Sequence, residues 1–291
     1  MRLFLPSLPR LLLILSLAVV LSGCSGAAFL NSVTSRAGYE TVRNLRYMPG
    51  DRGTFDLYVP NGAGPETPIV VFVYGGSWDS GSKAIYPFVG QSLASAGYIV
   101  AIPDYRVYPD VVFPGFVEDG ARAVAAVRKL GETGGAGVAA GPHPLFLMGH
   151  SAGAQIAALL AYDKRDLART GGGPIAGFIG LSGPYDFLPL KEERYKRIFP
   201  PALREASQPV NFAARGDPPT FLAHGGKDTT VEPENMRSLA RKLRGGGVPV
   251  SENLYPDLDH IGTVSSFATA LPLGDRQLRT DVLQFLKEHA R

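Results

Sequence analysis

The chain has 291 residues, 45% of them hydrophobic and 19% charged, which suits one large globular domain with a sizeable core. The formal net charge is +3, but Arg2 and Arg10 fall in a segment expected to be removed, leaving 27 basic against 26 acidic residues. With no basic stripe and no net charge to drive counterion release, nucleic acid is excluded as a partner.

The first predicted element is an export signal. Arg2 and Arg10 flank a short polar stretch, and an apolar run follows from residue 11 to residue 21. A bilayer span needs about 20 apolar residues, so this run suits the core of a signal peptide. It ends in Leu21-Ser22-Gly23-Cys24, which resembles the lipobox of bacterial lipoproteins. That resemblance implies cleavage before Cys24, acylation of its thiol and new amino group, and a protein tethered to a membrane outside the cytoplasm. An ordinary signal with a chance cysteine is the alternative. Cys24 is the only cysteine in the chain, which excludes an internal disulfide and a cysteine-cluster metal site.

Residues 24–50 lack clear periodicity and read as a tether and entry segment before a domain spanning 51–291. From there strand-like and helix-like stretches alternate. Residues 54–59 alternate as an early strand, and 69–74 form a continuous β-branched and aromatic run, as a strand buried on both faces requires. Similar apolar runs occupy 99–103, 145–148, 177–181 and 220–224, with a weaker one at 251–255. Val117, Ala121, Val124, Val127 and Leu130 share a helical face, as do Leu278, Val282, Phe285 and Leu286. This alternation predicts a mostly parallel sheet with helices on both faces. Residues 184–219 break the rhythm, being rich in proline, charge and aromatics, and read as a small cap inserted over the sheet edge.

The chemistry centres on Gly149-His150-Ser151-Ala152-Gly153, a G-x-S-x-G pattern between a buried strand and a helix of small residues over 152–162. A serine on such a turn occupies strained backbone, so its neighbours must be small, and the helix N-terminus offers positive dipole to an oxyanion. Serine needs a base. Of the five histidines, His260 follows the last strand and precedes the final helix, the place of the base when the order along the chain is Ser, acid, His. The acid of that order is Asp228, which follows a strand and the turn Gly225-Gly226-Lys227; Asp257 and Asp259 are the competing carboxylates.

The strand at 69–74 runs into YGGSWDSGSK at residues 74–83. With Asp104-Tyr105-Arg106, Phe113-Pro114, Asp119, the G-x-S-x-G turn, Asp228 and His260, this stretch resembles the carboxylesterase group of the α/β-hydrolases, in particular bacterial esterase/formamidase-like and isoprenylcysteine methylesterase-like enzymes. The likeness covers roughly residues 52–290. It implies an α/β-hydrolase fold and a serine carboxylesterase working through an acyl-serine intermediate on a small-molecule ester, with no cofactor and no metal. It further implies Ser151, His260 and Asp228 as the triad, and an oxyanion hole drawn from Gly75, Gly76, Ser77 and Ala152. An amidase such as an arylformamidase, a peptidase, and a non-catalytic binding module on the same fold are the rival readings. Tyr74 departs from the family, where many members carry His; either the phenol braces the loop or the loop is shaped differently. Asp104 and Arg106 read as a structural ion pair at a strand end, and Trp78, Tyr105, Tyr108 and Phe187 as candidate pocket walls.

Overall fold

A computed structural model describes residues 31–271 and 273–290; the expected signal segment and Cys24 lie outside the described residues. Among the described residues, eight strands form one sheet in the order β1-β2-β4-β3-β5-β6-β7-β8. They are β1 Tyr39–Arg46, β2 Thr54–Pro60, β3 Ile69–Val73, β4 Ile99–Pro103, β5 Leu145–His150, β6 Gly177–Leu181, β7 Thr220–Gly225 and β8 Val250–Tyr255. The β1/β2 and β2/β4 pairs are antiparallel and all other neighbours are parallel. Strands β3, β4, β5 and β6 are buried at every position, which is why they read in the sequence as unbroken apolar runs rather than alternating ones.

Among the described residues, helices include α1 Pro87–Ala94, α2 Gly115–Thr133, α3 Ala152–Tyr162, α4 Arg165–Thr170, α5 Glu193–Ile198, α6 Glu234–Gly245, α7 His260–Ser265 and α8 Arg276–His289. On one face of the sheet α2 packs on α3 and α4. On the other, α8 meets α1, where Arg279 donates to the Ser92 hydroxyl and carbonyl, and places Phe285 against Phe146 and Phe221. Every residue of α3 is buried, as a helix of small residues set against the centre of a sheet must be.

The sheet starts earlier than the sequence suggests. Strand β1 lies inside the stretch read as tether and entry segment. It is an edge strand exposed along most of its length, so no apolar period marks it. Its register shifts between Val42 and Leu45, where Asn44 takes a left-handed φ of 57° and gives its N–H to the Asp56 carboxylate.

Residues 184–219, between β6 and β7, contain α5 and three 3₁₀ turns, Pro201–Leu203, Glu205–Ser207 and Pro209–Asn211. Their aromatic side chains pack onto Trp78. Phe187 stacks on the indole, and Tyr195 and Phe199 meet it edge-on.

Candidate active site

The parallel strands β3, β5, β6 and β7 all point their C-terminal ends to the same sheet edge, where open α/β sheets gather their ligands. Ser151 follows β5 and stands at the N-terminal boundary of α3 with φ 54° and ψ −127°, a strained conformation for a non-glycine residue. A Cβ added at Gly149 would lie 2.4 Å from the Gly153 carbonyl oxygen, and one at Gly153 would lie 2.1 Å from that of Val73. Both positions therefore require glycine for the turn to close. The Ser151 N–H donates to the Leu181 carbonyl at 2.9 Å, anchoring the turn to β6.

His260, the first residue of α7, is brought to Ser151 by the loop after β8. Its Nε2 lies 2.8 Å from Ser151 Oγ and its Nδ1 2.8 Å from Asp228 Oδ2. A carboxylate only accepts, so Nδ1 carries the proton and Nε2 is left as the acceptor for the serine hydroxyl. Asp228 sits just past β7, its side chain fully buried. Oδ1 accepts from the Thr230 and Val231 N–H groups, and Oδ2 accepts from His260 and lies 3.2 Å from His224 Nε2. Burial alone would raise its pKa; the hydrogen bonds from His224, His260 and Val231 outweigh burial and hold the carboxyl well below its ordinary range. The competing carboxylates are elsewhere. Asp257 is exposed and pairs with Lys227, and Asp259 caps α7 by accepting from the Gly262 N–H.

Two histidines with no role assigned from the sequence support this arrangement. His224, fully buried, donates through Nε2 to the Val231 carbonyl at 2.8 Å as well as facing Asp228. His150 Nε2 donates to the His260 carbonyl at 3.0 Å, tying the loop that carries His260 to the nucleophile turn. Burial, reinforced by the neighbouring His260, lowers the His150 pKa to about 3, so its ring is neutral. Only the presence of imidazole beside the serine hinted at this in the sequence.

Ser77 and Ala152 lie with Ser151 on the wall of a cavity of about 460 Å³. Ala152 opens α3, and its N–H has no partner within the helix. Among the described residues no acceptor is bonded to the Gly76 or Ser77 N–H, while the Gly76 carbonyl accepts from Asp79 N, Ser80 N and Ser80 Oγ, which curls the loop. Gly75 is not on the cavity wall. It lies beneath Ser151, where an added Cβ would come within 2.8 Å of the serine Cβ. Gly76 and Ser77 have φ of 137° and 51°.

Tyr74 is fully buried, and its phenol braces the loop. It donates to Asp104 Oδ1 at 2.8 Å and stacks between Tyr86 and Tyr105. Asp104 also accepts from the Lys83 N–H and pairs with the Lys83 ammonium at 3.1 Å. Asp104 and Arg106 are thus both in ion pairs but not with each other: Arg106 makes a bidentate pair with Asp119. Of the candidate pocket walls, Trp78 and Phe187 line the cavity. Tyr105 is core and donates to the Tyr74 carbonyl, and Tyr108 packs against the core away from the cavity. Among the described residues no group of three or more His, Cys, Asp or Glu is placed to hold a metal ion.

The sequence model of the BD-FAE family matches residues 55–243. A probable isoprenylcysteine alpha-carbonyl methylesterase of Arabidopsis thaliana is 30% identical over 245 residues, covering 75% of this chain and 50% of the relative. Esterase LipQ of Mycobacterium tuberculosis is 26% identical over 268 residues, covering 84% of this chain and 61% of the relative. The chain thus spans about half the length of the first of these relatives. Among solved structures, apo Thermogutta terrifontis esterase 2 superposes with a TM-score of 0.70 at 25% identity, covering 87% of this chain and 96% of that one. With the sheet order and the placement of the helices, this makes the fold an α/β-hydrolase fold.

The neutral burial of His150 carries a pH dependence. With a folded pKa near 3 against about 6.5 in the unfolded chain, protons bind preferentially to the unfolded state in between. Its contribution is therefore fully present above about pH 6.5 and is lost as pH falls toward 3, by a few kcal/mol in all. His150→Gln removes that titration. Urea unfolding between pH 7 and 4 is expected to show a shallower loss of stability in the variant than in the wild type, and parallel curves would refute the assignment.

Proposed function

This chain belongs to the BD-FAE family, and we propose that it is a serine hydrolase that cleaves carboxylic esters through an acyl-serine intermediate. The observation that carries the reading is the unbroken relay from Ser151 Oγ through His260 to Asp228, two contacts of 2.8 Å each, on the wall of an open cavity. Ser151 Oγ attacks the ester carbonyl while His260 Nε2 takes its proton. The carbonyl oxygen, now an anion, is met by backbone N–H groups of the Gly76–Ser77 loop and of Ala152 at the start of α3. The imidazolium returns the proton to the leaving alkoxide. A water then repeats the cycle on the acyl-enzyme, with His260 as base, and frees the acid. Asp228, ionised across the working pH range, favours the imidazolium and keeps Nδ1 protonated. The esterase names of the family's relatives support the same bond type.

The localisation belongs to the same proposal. The short apolar run followed by Leu21-Ser22-Gly23-Cys24 supports export and a lipid anchor on Cys24. Among the described residues no helix is long and apolar enough to cross a membrane. Several acyl chains on one cysteine bind a bilayer far more firmly than a single chain.

Three measurements test these readings. A fluorophosphonate probe is expected to label Ser151 in the wild type and nothing in Ser151→Ala, with ester hydrolysis reduced by several orders of magnitude; labelling of another serine would overturn the assignment. Asp228→Asn reverses the donor sense at His260 Nδ1 and is expected to lower kcat by up to about 10⁴-fold, roughly 5 kcal/mol of transition-state stabilisation. Asp257→Asn and Asp259→Asn should cost far less in the same kinetics, with folding followed by circular dichroism. For the anchor, mass spectrometry of the membrane fraction should find a mature N-terminus at a lipid-modified Cys24, and a soluble product cut elsewhere counts against it.

A further inference from the structure

Resting on the serine-hydrolase reading above, we propose that Gln155 is a positioning residue that holds the Ser77–Trp78 turn, and with it the oxyanion amide of Ser77, in register with the nucleophile. Gln155 lies one helical turn beyond Ser151 on α3, is completely buried, and gives its own N–H to the Ser151 carbonyl at 3.2 Å. Its side chain spans two elements far away in sequence. Trp78 Nε1 donates to Gln155 Oε1 at 3.0 Å, and Gln155 Nε2 donates to the Ser207 carbonyl at 2.8 Å. The indole nitrogen can only donate and the carbonyl can only accept, so the orientation of the amide is forced by chemistry.

The turn it holds is under strain. Ser77 and Trp78 are consecutive non-glycine residues with φ of 51° and 61°, a conformation that persists only where its surroundings hold it. Main-chain bonds fasten the loop at Gly76, whose carbonyl takes three donors, and the Trp78 carbonyl accepts from the Tyr108 N–H. The rotation of the Trp78 side chain is set by the amide of Gln155 and by the aromatic rings around it. Because Ser151 caps the helix whose first turn carries Gln155, this hydrogen bond fixes the loop relative to the nucleophile itself. The second bond, to Ser207, extends the same link to residues 184–219. A serine hydroxyl and an oxyanion donor must be matched to within a fraction of an ångström to act on the same carbonyl group.

The experiment exploits the fact that Trp78 is the only tryptophan in the chain, so its indole N–H gives a single resonance in an amide-correlation spectrum. Gln155→Met keeps the unbranched bulk and removes both hydrogen bonds. It is expected to lower kcat about tenfold or more while KM changes less than about twofold, because what is lost is transition-state stabilisation rather than binding. The indole resonance should shift in step. Gln155→Glu, kept protonated by full burial, retains an oxygen facing the indole and an O–H facing the Ser207 carbonyl, and is expected to recover most of kcat and a near-native indole signal. Should Gln155→Met fail to fold, Trp78→Phe deletes the same hydrogen bond from the other side and is expected to lower kcat likewise. Undiminished kcat in Gln155→Met or Trp78→Phe overturns the proposal. So does a loss of kcat with an unmoved indole resonance, or a Gln155→Glu variant as impaired as Gln155→Met. Fluorophosphonate labelling of the wild type separates the two levels of the argument. An unlabelled wild type sinks the hydrolase reading together with this inference, whereas a labelled wild type and an unimpaired Gln155→Met sink this inference alone.

Discussion

Three backbones converge beneath Ser151, and they can do so only where no side chain intervenes. Gly75, two residues beyond β3, passes under the serine, Gly149 is the last residue but one of β5, and Gly153 brings the first turn of α3 against the carbonyls of Val73 and Tyr74. A methyl group at any of the three would come within 3 Å of a neighbouring atom. The serine itself bears the cost, since φ of 54° at a non-glycine residue is worth about 1–3 kcal/mol of strain. That cost is offset by β5, hydrogen-bonded on both sides in the middle of the sheet, and by the Ser151 N–H bound to β6. Everything else at the site is measured from this point: the reach of His260, the start of α3 with its free amide, and the approach of the loop after β3.

The oxyanion loop is held on a different principle. Its strained residues, Ser77 and Trp78, are retained by side chains as well as by main-chain packing. Tyr74 fastens one end to Asp104 and Lys83, Gln155 takes the indole, and Phe187, Tyr195 and Phe199 close over it. The last three belong to the segment between β6 and β7. The nucleophile turn is therefore held by β5, β6 and the first turn of α3, while the loop facing it also depends on residues 184–219. Changes in that segment act on the oxyanion side of the reaction before they act on the serine.

How much of this the sequence discloses follows from which contacts are local. Ser151, Asp228 and His260 are legible because each follows a strand of a parallel sheet, and a parallel sheet brings the ends of its strands to one edge whatever lies between them. Strands buried on both faces are legible as apolar runs. Strand β1 is not, because an exposed edge strand with a register shift has no period to detect. The bracing role of Tyr74 was one of two alternatives, and the partner that decides it, Asp104, is 30 residues away. Gln155 is a lone polar residue in a helix of small apolar ones, and nothing local distinguishes a buried bridge from a solvated side chain. The supporting parts of His150 and His224 were equally hidden, since each rests on a carbonyl placed by tertiary packing.

Three imidazoles crowd the acid end of the relay, and their different surroundings give them different work. The His150 and His260 rings lie 4.9 Å apart. If both were cationic during turnover, their repulsion at an effective dielectric constant of 20 would be roughly 3 kcal/mol, set directly against formation of the imidazolium at His260. Burial removes that conflict by keeping His150 neutral, so that it can brace the His260 backbone without opposing the charge that must develop on the ring. Asp228 acts in the opposite sense. It is buried yet ionised because three hydrogen bonds and the nearby His224 ring surround its oxygens, and that fixed negative charge lies 2.8 Å from His260 Nδ1. One neighbour withholds positive charge because it is buried, and the other supplies negative charge because its hydrogen bonds outweigh burial. That fixed charge stands beside the imidazole that touches Ser151, and the neutral ring of His150 leaves it unopposed.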